Sequence, residues 1–210
     1  MPFFKYLPAL FLAAFLLQAV TAGSQSGPYS SDQASNITEA MAALDKAKAA
    51  FSVGDTKTAL EAVWAAQEAI WIQAPLGMRN AAFVTEQPEN FGTYTPKTGQ
   101  DFKEFEPLIF YCEPVGYTQR KEADGTYSYS ILGAFSIIDT DKNQTLGGQE
   151  NLGPYEMHGY RTFSTETMLA MTIGIQGLPV GSYTLRVTLT DNLNQSKTAV
   201  VDKPFRLVGE

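Results

Sequence analysis

Between residues 183 and 189 apolar and polar side chains alternate without a break, with Tyr183, Leu185, Val187 and Leu189 on the odd positions and Thr184, Arg186 and Thr188 on the even ones. A period of two lines one face of a half-buried strand with the apolar set. Leu178-Pro179-Val180-Gly181 ahead of it has turn chemistry, and a second strand-like run follows the polar linker 191–197. Residues 177–208 are therefore predicted to form a hairpin. Such a hairpin cannot bury its apolar face alone, so the rest of the chain must supply a facing sheet.

The remaining periodicity supplies it. Short β-rich runs separated by turn residues occupy 81–85, 107–113, 126–139, 145–150, 164–176, 181–190 and 197–208, about the seven strands of a sandwich. Leu108, Phe110 and Cys112 share one strand face. Tyr127, Tyr129, Ile131, Gly133, Phe135 and Ile137 share another, opposite Ser128, Ser130 and Ser136. The pattern predicts a mainly β fold, an antiparallel sandwich over 81–208, with the run 107–113 facing the 177–208 hairpin.

Ahead of the strands the period changes to that of a helix. Asn36 with Glu39 resembles a capping box, and Ile37, Met41, Leu44, Lys48 and Phe51 fall on one helical stripe broken only by Lys48. Gly54 suits the residue after a helix end, and Asp55 can cap the next helix at once. Leu60, Val63, Trp64, Gln67, Ile70 and Trp71 then recur at three and four, until Pro75 and Gly77 stop the helix. Residues 36–74 are predicted to be an antiparallel helical hairpin. Trp64 and Trp71 either pack against the β domain or, if exposed, bind a partner.

Two resemblances bear on these units. The small Ala positions, Gly54-Asp55 and Ala59-Leu60 of 43–70 resemble a single tetratricopeptide unit, one repeat without the neighbours that build a peptide groove. Gly181-x-Tyr183-x-Leu185, preceded by Leu178, resembles the E–F corner of immunoglobulin-like sandwiches, as found in bacterial exported proteins of uncharacterised function. That resemblance implies a Tyr two residues before the inward position of its strand, and it sets Cys112 opposite Leu185 across the core, where antibody domains carry a disulfide. It implies a scaffold and no particular activity.

Composition narrows the function classes. Residues 1–22 read as a signal peptide: Lys5 is the lone charge, 9–17 is apolar, and Val20-Thr21-Ala22 offers small residues at a cleavage site. A flexible lead-in is expected over 23–35. The expected location is the periplasm or the extracellular space, with no transmembrane segment. The chain has 210 residues and a net charge of −7 with no basic cluster, a poor match to nucleic acid. With one cysteine, Cys112, there is no internal disulfide, and with one histidine, His158, there is little for zinc or for triad chemistry to use.

Several constellations are candidate sites. Asp139, Asp141, Asn143, Thr145 and Glu150 stand at relative positions one, three, five, seven and twelve, as in a calcium loop of the EF-hand type. Gln144 replaces its glycine and the flanks read as strands, so a polar turn explains the same residues. His158 belongs to the loop-like stretch 153–160, beside Glu156 and Tyr160. The pairs Glu104 with Glu106 and Glu113 with Glu122 are acid–base candidates or solvated charges. Tyr117, Tyr127, Tyr129, Tyr155 and Tyr160 form either an aromatic platform or core and strand positions. The expectation is an exported, non-enzymatic binding or structural protein that docks to another protein or envelope component, without a cofactor. The alternative is a module for carbohydrate or another small ligand, with or without help from calcium.

Overall fold

The computed structural model describes residues 31–209, so the leader expected over 1–22 and most of the expected lead-in lie outside them. Two helices, α1 (Ser31–Ser52) and α2 (Thr56–Gln73), precede all the strands. Helix α1 begins earlier than the capping-box pattern implies: Asn36 and Glu39 sit within the helix, and residues 31–35 of the expected lead-in are helical. The turn between the helices is as read. Gly54 takes φ +81°, and the Asp55 carboxylate accepts the Thr58 N–H at 3.1 Å, capping α2. Pro75 bars continuation of α2, and the chain enters the first strand at Gly77, ahead of the expected boundary at 81.

The strands are β1 (Gly77–Phe83), β2 (Asp101–Phe102), β3 (Leu108–Val115), β4 (Arg120–Lys121), β5 (Tyr127–Asp139), β6 (Gln144–Tyr160), β7 (Leu169–Ile173), β8 (Gly181–Asp191) and β9 (Thr198–Leu207). They form a three-stranded sheet in the order β1-β3-β7 and a six-stranded sheet in which β2, β9, β8, β5 and β4 follow one another and β6 also pairs with β5. Pairing is antiparallel throughout except between β2 and β9, which run parallel, so the expectation of a wholly antiparallel fold is corrected there. The β8–β9 hairpin exists in full register, from Gly181 opposite Leu207 to Thr190 opposite Thr198.

Inward residues of both sheets merge into one core. Leu108, Phe110 and Cys112 from β3 and Leu185, Val187 and Leu189 from β8 are all fully buried in it. Cys112 and Leu185 thus lie on facing sheets of the same core. The thiol is pushed up to about 12, first by burial and then by the Glu113 charge. Phe83, Phe102, Tyr183 and Phe205 close one end with edge-to-face and stacked contacts, including Phe83 to Phe102 at 5.1 Å.

Two features depart from simple alternation. Tyr111 and Glu113 point away from the core yet are buried, because the segment after β1 folds over them. Tyr94 stacks on Tyr111 at 4.2 Å, the Gly92 N–H donates to Tyr111 Oη, and Tyr111 in turn donates to Glu113 at 2.9 Å. The second feature is β6. It runs well past the expected 145–150, takes in the stretch 153–160 that reads as a loop, and carries His158 exposed on a strand.

Candidate functional site

The helical hairpin joins the β domain at the C-terminal end of α2, and the joint is built from specific contacts. Trp71 Nε1 donates to the Tyr117 carbonyl at 2.9 Å, and its ring meets Tyr117 edge-on at 5.2 Å and Phe163 at 6.1 Å. Tyr127 Oη donates to Glu68 at 3.2 Å. Lys197 Nζ donates to the carbonyls of Ile72 and Gly116, at 3.1 and 2.8 Å. Gly116 has φ +73°, and a Cβ there would collide with the Pro75 carbonyl oxygen. Backbone therefore approaches backbone at this point, which only glycine permits.

The two tryptophans have separate fates. Trp71 is packed into the joint, whereas Trp64, two turns earlier, is 58% exposed. Of the two partner-binding candidates, Trp64 stands open to a ligand or partner, and Trp71 is half-buried in the joint.

The hairpin itself is held by alanines. Ala40 and Ala47 of α1 and Ala59, Ala62, Ala66 and Ala69 of α2 are buried, and all the large apolar side chains between them are not. Small residues let the two axes approach, which turns the bulky stripes sideways. At 100° per residue, Ile37, Met41 and Leu44 lie about a quarter-turn from the alanine seam of α1, with Phe51 nearer to it. Val63 and Ile70 lie about a quarter-turn from theirs, with Leu60 further round, and because the helices are antiparallel both stripes emerge on the same side. Leu44 accordingly lines a shallow apolar groove with Val63, Ile70, Trp71 and Val115, about 370 Å³ in volume. The seven stripe residues are 43–71% exposed.

On the other flank of α2 lies a cleft of about 630 Å³ facing the ends of β5 and β6. Its aromatic side is made by Trp64, Tyr127 and Phe163, with Tyr127 and Phe163 edge-to-face at 6.0 Å. Lys121 and Arg161 also line it, with Lys121 Nζ 5.7 Å from the Tyr127 ring centre. Burial, and then the Glu68 carboxylate, raise the Tyr127 phenol above its ordinary value. Nothing in the alternation of β5 marked this cleft, since it needs α2 beside the strand ends.

The other candidate residues are distributed differently. Asp139, Asp141 and Asn143 cluster at the β5–β6 turn, but the Asp139 carboxylate is occupied by the N–H groups of Asp141 and Lys142 and by Lys142 Nζ at 2.8 Å. Those bonds, with Lys142 foremost, hold its carboxyl below the usual range. Thr145 and Glu150 are on β6, where Thr145 pairs with Ile138 and Gln149 pairs with Phe135, so Glu150 is carried along the ribbon away from the turn. The structure therefore does not gather the five residues around one point. Among the described residues no group of three or more His, Cys, Asp or Glu is placed to hold a metal ion.

Three of the four candidate carboxylates are individually engaged. Glu106 pairs with Lys97 at 2.6 Å, and Glu122 accepts from Arg120 and Ser128. Glu113 accepts from Arg79, Asn80 and Tyr111; burial alone would raise its pKa, but these bonds lower it. Tyr117 and Tyr129 are buried, so the five tyrosines form no common platform. His158 lies 3.5 Å from Glu156 on the exposed ribbon.

Asp191 is a residue that sequence reasoning left in a polar linker. It is fully buried, and its carboxylate accepts the N–H groups of Thr118, Leu193 and Asn194, tying the β8–β9 turn to the loop after β3. No described helix is long and apolar enough to cross a membrane. No known protein family matches the chain, and no curated protein does so either.

Proposed function

We propose that this is an exported, non-enzymatic binding protein, an immunoglobulin-like sandwich carrying a single tetratricopeptide-like hairpin whose open apolar face docks another protein. The observation that carries the reading is the hairpin's alanine seam: Ala62 and Ala66 are 4% and 1% exposed while Met41 and Ile70 are 57% and 53% exposed. An amphipathic layer of two helices buries its apolar side against a further layer, and within the described residues none covers it. The occupant in this reading is a partner protein that lays an amphipathic helix along the stripe, using the groove beside Leu44, Val63 and Ile70 for its anchor side chains.

The immunoglobulin-like assignment draws on strand order and on one hydrogen bond. Strands β1, β3 and β7 correspond to A, B and E of that fold, and β9, β8, β5 and β6 to G, F, C and C′. Tyr183 donates to the Pro179 carbonyl at 2.6 Å, as a tyrosine corner does. Export draws on the leader-like residues 1–22.

A photo-crosslinking residue at Met41 or Val63, in the full chain expressed in its native compartment, tests the docking. The expected result is one defined partner, lost in a Val63→Asp variant that keeps its melting temperature. Adducts only between copies of the chain, or none above the level of a probe at exposed Val200, would overturn the reading.

A further inference from the structure

We infer that the cleft between α2 and the ends of β5 and β6 binds an acidic oligosaccharide, a ligand class separate from the protein partner of the apolar face. Its volume, about 630 Å³, is that of a small-ligand site. The aromatic side is rigidly held. Trp71 is bonded to the Tyr117 carbonyl and meets Phe163 edge-on; Phe163 meets Tyr127 edge-on; and Tyr127 is fixed by its bond to Glu68. Above this held floor Trp64 offers an exposed indole. Flat ring faces of this kind suit the C–H faces of pyranose rings, which need apolar contact on one side and hydrogen bonds around the rim.

The rim has both signs of hydrogen-bonding group. Glu68 and Gln67 can accept from sugar hydroxyls, and Thr162 and Thr165 can bond in either sense. The charge is what selects an acidic sugar. In a chain of net charge −7, seven Lys and Arg side chains are in ion pairs with carboxylates. Lys121 and Arg161 are among the seven described Lys and Arg that are in none of these pairs, and these two line the same cleft. A guanidinium and an ammonium lining one cleft with aromatic rings match a carboxylated sugar. Nucleic acid is a poor alternative, since tracking its backbone needs several Lys and Arg gathered along one face and this cleft is lined by two.

The test uses the full mature chain and oligogalacturonate as the probe, followed by calorimetry and by indole fluorescence. Binding is expected, with a fluorescence change that Trp64→Ala abolishes; Trp64 is exposed, so this variant should keep its melting temperature. Arg161→Gln with Lys121→Gln should weaken binding at least about tenfold, the loss of two charge-assisted contacts. A neutral cello-oligosaccharide of matching length should bind more weakly by a similar factor. Three results would each overturn the inference: no heat or fluorescence change with oligogalacturonate at millimolar concentration, equal binding by Trp64→Ala, or equal binding of polyglutamate, which would indicate anion attraction without sugar recognition. A Val63→Asp variant separates the two surfaces, because it should leave oligogalacturonate binding intact whether or not the docking reading holds.

Discussion

Tyr183 Oη donates a 2.6 Å hydrogen bond to the carbonyl of Pro179, so a residue of strand β8 holds the turn that leads into its own strand. The Tyr183 ring is simultaneously stacked on Phe205 at 5.4 Å. Tyr183→Phe keeps the stacking and removes only the bond. The expected cost is about 1 kcal/mol of unfolding free energy, read as a lower denaturant midpoint with an unchanged slope.

Gly116 is where the hairpin linker and the loop after β3 come closest. Alanine there adds a side chain at positive φ and drives it into the Pro75 carbonyl. Gly116→Ala should destabilise by roughly 2–4 kcal/mol, combining backbone strain with the displacement of Pro75. Gly54→Ala is the comparison. It shares a positive φ but has nothing within 4 Å of the added carbon, so its cost should be limited to about 1–2 kcal/mol of strain. Equal losses in chemical denaturation would show that the close contact at Gly116 has no role.

Alkaline pH should weaken the fold through Cys112. Its thiol, ordinarily near 9.0, is pushed up to about 12 in the folded core. Above pH 9 the unfolded chain sheds this proton while the folded chain keeps it. Stability is thus intact below 9 and falls as pH rises, approaching about 1.4 kcal/mol per pH unit before the buried tyrosines add their own effect. Cys112→Ala leaves a small cavity and a lower baseline, yet its stability should decline less between pH 9 and 10. Parallel declines in the two proteins would contradict the assignment.

The alanine seam reverses the usual expectation about which apolar residues matter. Ala66→Leu should cost about 1–3 kcal/mol by forcing the helices apart, although it adds apolar surface. Leu60→Ser, on the open stripe, should change stability by less than about 0.5 kcal/mol. Thermal unfolding of both variants gives the comparison, and a larger loss for Leu60→Ser would mean that the stripe is covered within the monomer.

Trp71→Phe tests the joint between helices and strands. It retains an aromatic ring against Phe163 but leaves the Tyr117 carbonyl without its donor, at a cost of about 1–3 kcal/mol. Amide exchange should quicken in α2 while β5 and β8 keep their protection. Uniform quickening across the chain would mean that hairpin and sandwich unfold together.

By itself the sequence determined the elements and their inward faces. Alternation at 183–189 and the helical stripes through Leu44 and Val63 report which residues share a face, and Gly54, Asp55 and Pro75 mark where helices stop and start, because these are properties of neighbouring residues. The tertiary structure decided which face finds a partner. The bulky stripes remain open because the alanines, being small, let the helices pack closely and take the seam; Trp71 is held and Trp64 is free because the contacts of the joint begin only at Glu68, in the last two turns of α2. Tyr111 and Glu113 are buried by a segment with no periodicity of its own, and Asp191 by N–H groups from two loops. The cleft of Trp64, Tyr127 and Arg161 likewise draws on residues far apart in the chain, and no local pattern encodes the docking that brings them together.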